Sequence, residues 1–168
     1  SIQGVTYQFV NTTERIIQSA SGIYVFGATS GIPVHEGTWT TTRFTTNLDN
    51  ADQRFILPNA GVDISTVKVQ VQNSVSDSTT ATYTAAESLV DITATTQAYF
   101  IQETVDGEWQ VYFGDGVVGK SLIDGNIVIL KYVVTNGIDA NGAVSFTADG
   151  GISGFADITT TTMTAAAG

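Results

Sequence analysis

Val67-Lys68-Val69-Gln70-Val71-Gln72 alternates valine with a polar residue at every step. Side chains on a β-strand point to opposite faces with period two, so this pattern buries the three valines and leaves Lys68, Gln70 and Gln72 in water. A helix would scatter the valines around its circumference. The neighbouring segments speak the same way. Upstream, Phe55-Ile56-Leu57 is stopped by Pro58-Asn59-Ala60-Gly61, and Thr38-Trp39-Thr40-Thr41-Thr42-Arg43-Phe44 is β-branched and aromatic. Downstream, Ile127 to Val134 is the most hydrophobic run of the chain and is long enough to cross a core.

The ends of the chain extend the β reading. Val5, Tyr7 and Phe9 alternate with Thr6, Gln8 and Val10, and Gly22 precedes the apolar run Ile23-Tyr24-Val25-Phe26, which gives two opening strands. Ala98 to Thr104 and Trp109 to Phe113 flank Val105-Asp106-Gly107-Glu108, where Asp-Gly favours a tight primed turn, so a hairpin is expected. Residues Asn73 to Ala86 are rich in Ser, Thr and Ala and read as an exposed loop or hairpin. Helical windows are confined to Thr13–Ala20 and Ala85–Asp91, both too short to be stable without packing support. The fold class expected is mainly β: an antiparallel β-sandwich-like module with long loops and at most short helices.

Composition limits the chemistry. A chain of 168 residues can bury one sizeable core. Cysteine is absent, which excludes a disulfide framework and a thiol nucleophile. With 16 acidic residues against 6 basic ones the net charge is -10, which repels phosphate backbones and anionic membranes, so neither nucleic acid nor membrane is expected as a partner. Apolar runs are too short for a membrane helix, and the first ten residues have no basic leader, so a soluble chain without signal peptide is expected. Acidity does not imply disorder here, because 42% of residues are hydrophobic and 13% charged.

Candidate catalytic groups are sparse. The single histidine, His35, stands beside Glu36, yet no nucleophile pattern and no second histidine at ligand spacing accompanies it, so no catalytic and no metal role is assigned. Asp106, Glu108, Asp115 and Asp124 could suggest calcium or sugar hydrolysis, but they stand in Asp-Gly turns and lack EF-hand order. Trp39, Trp109, Tyr112 and Phe113 could line a sugar groove; their placement beside valines reads as core. Gly114 to Ser121 matches the phosphate-loop string, with four residues between Gly114 and Gly119-Lys120-Ser121. The context fails, because Leu122-Ile123-Asp124-Gly125-Asn126 breaks into turn residues where a helix should begin. No cofactor is expected. Phe113, Gly114, Asp115, Gly116, Gly119 and Gly125 read instead as a structural turn, with Gly114 or Gly116 at positive φ and the chain turning from Phe113 toward the strand near Ile127.

These residues carry a resemblance. Tyr99 to Gly137 has a strand, an acidic-Gly turn, a strand ending in Phe113-Gly114-Asp115-Gly116, a spacer from Gly119 to Gly125 and a hydrophobic strand containing Tyr132. That order resembles the baseplate J-like family of contractile-tail bacteriophages, and the Thr- and Gln-rich style resembles the wedge proteins of myovirus-type baseplates. Ile123-Asp124 replaces the proline usual before the second spacer glycine. The likeness spans about Gly31 to Gly142, so the chain divides into N-terminal strands at 1–30, the baseplate J-like β domain at 31–142, and a C-terminal strand with a Thr/Ala-rich end at 143–168. Relatives are longer, so a piece cut from a larger polypeptide is expected. The resemblance implies a non-enzymatic structural component of the virion tail baseplate, assembled in the host cytoplasm. Its implied partners are other baseplate wedge proteins and a second copy of itself in a dimer. A carbohydrate-binding or adhesin-like β module is the alternative that shares this composition.

Overall fold

A computed structural model describes residues 4–14, 31–50, 52–150, 156 and 158–167. The chain divides into two compact units, Trp39–Val134 and Ser1–Thr38 with Thr135–Gly168.

In the unit Trp39–Val134 the strands form one seven-stranded sheet. Strand β3 is Thr38–Thr45, β4 is Phe55–Ile56, β5 is Val62–Gln72, β6 is Thr80–Ala85, β7 is Ala98–Glu103, β8 is Trp109–Phe113 and β9 is Ile127–Val134. They lie in the order β3-β9-β5-β6-β7-β8-β4. The sheet curls toward closure, because Phe44 on one edge strand meets Phe55 on the other with ring centroids 5.4 Å apart. A mainly β, barrel-like or sandwich-like fold is therefore what the chain adopts.

The core follows from alternation. Val69 and Val71 of β5 face inward with Val128, Leu130 and Tyr132 of β9, Tyr83, Tyr99, Val111, Phe55 and Leu57. Among the described residues Tyr132, Phe55, Leu57 and Leu130 are the largest of the fully buried side chains. Burying each removes roughly 1.5–3 kcal/mol worth of apolar surface from water. The hydroxyls of buried Tyr99 and Tyr132 must be satisfied in that environment. Tyr99 donates to the carbonyl of Val67 at 3.1 Å, and Tyr132 donates to Asn59 Oδ1 at 2.6 Å. The Tyr132 proton is thereby committed, so Thr42 is the donor in its 3.0 Å contact with the Tyr132 hydroxyl.

The pairings β5–β6, β5–β9, β7–β8 and β4–β8 are antiparallel, and β6–β7 is parallel. The last departs from the expected all-antiparallel arrangement. Parallel neighbours need a long crossover, and residues 86–97 supply it. The window Ala85–Asp91 lies at its start, where Ala85 ends β6 and the rest runs as bends and turns. Asn73 to Ala86 resolves into the β5–β6 hairpin, so the hairpin reading holds there. The β7–β8 hairpin also holds, with a different turn. Gly107 N–H donates to the carbonyl of Thr104, Thr104 N–H to that of Glu108, and Gly107 has φ +80°. Three residues, Val105 to Gly107, thus form the loop, the glycine taking the left-handed position that closes it in place of a two-residue primed turn.

In the other unit, β1 (Phe9–Val10) pairs antiparallel with β2 (His35–Glu36). The opening strand is shorter than the alternation from Val5 implied, and Ile23–Phe26 falls outside the described residues, as does most of the window Thr13–Ala20. Phe9 meets Phe146 edge-on at 4.9 Å. A 3-10 turn covers Gly137–Ala140, and beyond it Gly142 N–H donates to Ala166 O and Ala166 N–H to Ala143 O.

One irregularity holds β5 and β9 together. Asp63 pairs with Val133 and Lys68 with Lys131, so Ile64 to Val67 face Tyr132 alone. Such a bulge removes ladder acceptors. Thr66, 3% exposed, replaces one: its Oγ1 accepts from the N–H of fully buried Val133 at 2.9 Å and donates to Asp63 O at 2.7 Å. Thr66→Val keeps the shape and strands that N–H, so urea denaturation should show a loss of ~1–3 kcal/mol. Thr66→Ser should recover most of it, and a Thr66→Val chain as stable as wild type would refute the bridging role.

Candidate functional site

The turn from Phe113 to Asn126 is where sequence reasoning placed its candidate residues. Phe113 ends β8 with its ring edge-on to Phe55 at 5.7 Å and to Tyr83 at 5.2 Å, so the turn starts from the core. Gly114 is required by crowding. A Cβ there would lie 2.3 Å from Val118 O and 2.4 Å from the carbonyl of Gly119, both backbone atoms. Gly116, Gly119 and Gly125 have φ of +88°, +86° and +77°, conformations that side chains disfavour.

Asp115 organises the turn. Its Oδ1 accepts from Val117 N–H at 2.8 Å and Val118 N–H at 2.9 Å. These two backbone donors, Val118 first, hold its carboxyl below the usual range. Gly116 N–H donates to Gly119 O, Gly119 N–H to Thr93 O and Lys120 N–H to Thr96 O. Every backbone donor from Gly116 to Lys120 is therefore spent inside the protein. A phosphate-binding loop presents such donors to its ligand, and residues Ser121–Asn126 form no helix behind it. The matching string is a laced turn between β8 and the crossover 86–97.

The second half of the turn fixes three segments at once. Asn126, 7% exposed, accepts from Ile123 N–H through Oδ1 at 2.7 Å and donates through Nδ2 to Asn73 O at 2.8 Å. Thr46 N–H donates to Asn126 O, Gly125 N–H returns to Thr46 O, and Thr46 Oγ1 donates to Ile123 O at 2.6 Å. Asp124 accepts from Leu48 N–H at 3.0 Å. The turn thereby joins the exit of β3 to the β5–β6 hairpin. It does not bring β8 beside β9, since β7, β6 and β5 lie between them in the sheet. Thr46 and Asn126 escaped sequence reasoning. Asn126 carried a faint signal as a turn residue opening a strand, and Thr46 carried none.

Other candidates are dispersed. His35 lies in β2, and the Glu36 carboxylate next to it accepts from Thr135 Oγ1, Asn136 N–H and Asn136 Nδ2. Burial pushes the Glu36 carboxyl up, and the bonds from Thr135 and Asn136 outweigh it, leaving its pKa lowered. Asp115 and Asp124 both face N–H donors, and among the described residues no group of three His, Cys, Asp or Glu is placed to hold a metal. Trp109 and Phe113 pack against the core. Trp39 and Tyr112 do not: Tyr112 stacks on Phe100 at 5.1 Å beneath the Arg54 guanidinium at 4.0 Å, and Trp39 lies under the ammoniums of Lys68 and Lys131. Alternation explains the difference, since Val111 and Phe113 take the inner face of β8 and leave the outer one to Tyr112.

A mixed, nearly closed sheet with a laced glycine turn makes Trp39–Val134 a mainly β module. Residues 41–139 match the family model described as bacteriophage baseplate wedge protein gp6, third domain, and the chain belongs to that family. It is also similar to the baseplate wedge protein gp6 of Enterobacteria phage T4, with 32% identity over 75 residues, covering 36% of this chain and 11% of that protein. The chain therefore spans about a tenth of the length of the relative it matches.

The turn makes a graded prediction. Gly114→Ala forces backbone against backbone and should destabilise most. Gly116→Val has room, its added Cβ lying 3.5 Å from Ser121 Oγ, so only conformational strain of about 1–3 kcal/mol is expected. Lys120→Ala, whose contribution is through its N–H, should be neutral by thermal unfolding. Because the folded pKa of Asp115 is depressed, its stabilising contribution is present above the unfolded value and lost as pH falls through the folded one. NMR titration should find its carboxyl below the ordinary aspartate range, and Asp115→Asn should remove that part of the acid dependence.

Proposed function

We propose that this chain is a non-enzymatic structural part of a contractile-tail baseplate wedge, binding other wedge proteins within the virion tail after assembly in the host cytoplasm. The observation that carries the reading is the family match over 41–139, which coincides closely with the compact unit Trp39–Val134. Both fall within the module proposed at 31–142, with 1–30 and 143–168 as its flanks. The resemblance of Phe113–Gly116 and its spacer to baseplate J-like proteins belongs to the same proposal, as does a dimer of the parent protein.

The geometry supports a scaffold in two ways. Polar groups that could do chemistry are occupied in holding segments together, as Asp115, Asn126 and Glu36 are. The laced turn fixes its loops without a ligand, which suits a part that must present constant surfaces to neighbours. The carbohydrate alternative gains nothing comparable, since Trp109 packs on the core and Trp39 lies beneath lysines.

Co-expression with the other wedge proteins of the source phage should yield a complex retaining the chain through size exclusion, and failure to co-migrate with any of them would overturn the assembly reading. His35→Ala should join that complex as wild type does. ATP, GTP and calcium should leave the melting temperature unchanged, because a ligand that binds the native state must raise it.

A further inference from the structure

Six exposed apolar side chains stand on three segments that the fold has bonded together. The turn 114–126 is the middle one. Gly119 N–H and Lys120 N–H tie it to Thr93 O and Thr96 O of the crossover 86–97, and reciprocal bonds join Gly125 and Asn126 to Thr46, where β3 exits into 46–50. The crossover carries Leu89 and Val90, the turn Val117, Val118 and Ile123, and the β3 exit Leu48, with exposures from 41% at Val118 to 90% at Val90. Side chains meet there too, since a Cβ on Gly119 would lie 3.7 Å from Ile92 Cγ2.

The fold uses these six residues through their main chains. Val117 and Val118 give their N–H groups to Asp115, Ile123 gives its own to Asn126, Leu48 to Asp124 and Val90 to Ser88 Oγ, while the Leu89 carbonyl accepts from Ile92 N–H. Any residue but proline supplies such groups, and turns favour Gly, Asn, Asp and Ser. Turn chemistry therefore does not call for valine at both 117 and 118, or for leucine and valine at 89 and 90. Apolar side chains held in water on ordered backbone and rimmed by polar groups mark a contact with another protein. The rim here is acidic. Asp49, Glu87, Asp91, Asp115 and Asp124 are all exposed on these segments, against Lys120 as their one basic residue. Accepting an N–H leaves a carboxylate its charge, so Asp115 and Asp124 contribute while they hold the turn. Such a surface complements an apolar patch edged with lysine or arginine. It does not complement itself, because a two-fold contact would set these carboxylates against their own copies.

We infer that the surface built from the crossover 86–97, the turn 114–126 and the exit of β3 docks an apolar segment of another protein chain that is flanked by basic residues. The inference deepens the assembly reading and rests on it by naming the chemistry of one partner.

The test is a titration of the 168-residue chain with a labelled twelve-residue peptide whose central leucines are flanked by lysines, read by fluorescence anisotropy. Saturable binding is expected, weakened but not abolished as salt screens the charges. A peptide with serine in place of leucine should bind at least tenfold more weakly. Val117→Ser with Val118→Ser keeps both N–H groups and should weaken binding of the leucine peptide at least tenfold, whereas Val105→Ser, in the β7–β8 hairpin, should leave it within twofold. Leu89→Ser with Val90→Ser should act as the valine pair does, and melting temperatures equal to wild type separate either effect from a folding defect. Glu87→Gln with Asp91→Asn should weaken binding severalfold, while Asp106→Asn with Glu108→Gln, which changes net charge equally in the hairpin, should not. Absence of saturable binding, equal binding of the serine peptide, or equal weakening by the hairpin variants overturns the inference. A dimer of the free chain in sedimentation, abolished by the valine pair, would replace the foreign segment with a second copy and overturn it too. The two readings fail separately: a chain that joins the wedge complex but ignores the peptide refutes only the docking surface, and one that binds peptide but joins no complex refutes only assembly.

Discussion

The pairing of β5 with β9 is the constraint on which the rest of the structure depends. Val69 faces Leu130 and Val71 faces Val128 across it, so a shift of β5 by one residue would turn Val69 and Val71 outward and carry Lys68 into the core. Burial therefore fixes the register, and the register sets Lys68 opposite Lys131. Thr66 completes the pairing where the bulge between Asp63 and Lys68 breaks the ladder, which lets β5 bend without stranding Val133.

Strands with a clean alternation were legible in the sequence. Val67 to Val71 lie within β5, where burying one face leaves period two as a direct trace, while Ile127 to Val134, which are β9, were legible as a continuous hydrophobic run and Thr38 to Phe44, within β3, from β-branched and aromatic character. The order of the strands left no such trace. β6 has Tyr83 as its one large apolar side chain, and its parallel contact with β7 depends on a crossover whose Ser, Thr and Ala composition says nothing of direction. Aromatic residues were misjudged for a related reason. Trp39 and Tyr112 stand near apolar neighbours in sequence, yet strand parity sends them to the outer face, where cations rather than valines cover them.

The turn shows the same division between local and tertiary information. Positive φ at Gly116 and Gly125 accords with local turn chemistry, since each follows an aspartate, whereas Gly119 follows Val118 and has no such pair. The need for glycine at 114 comes from the return of Val118 and Gly119 onto it, a contact set by the loop as a whole. Thr46 and Asn126 meet across a long sequence separation, so neither could announce the other. The phosphate-loop string illustrates the converse. It has the residues of a ligand site, but the donors from Gly116 to Lys120 are already bound to Asp115, Gly119, Thr93 and Thr96.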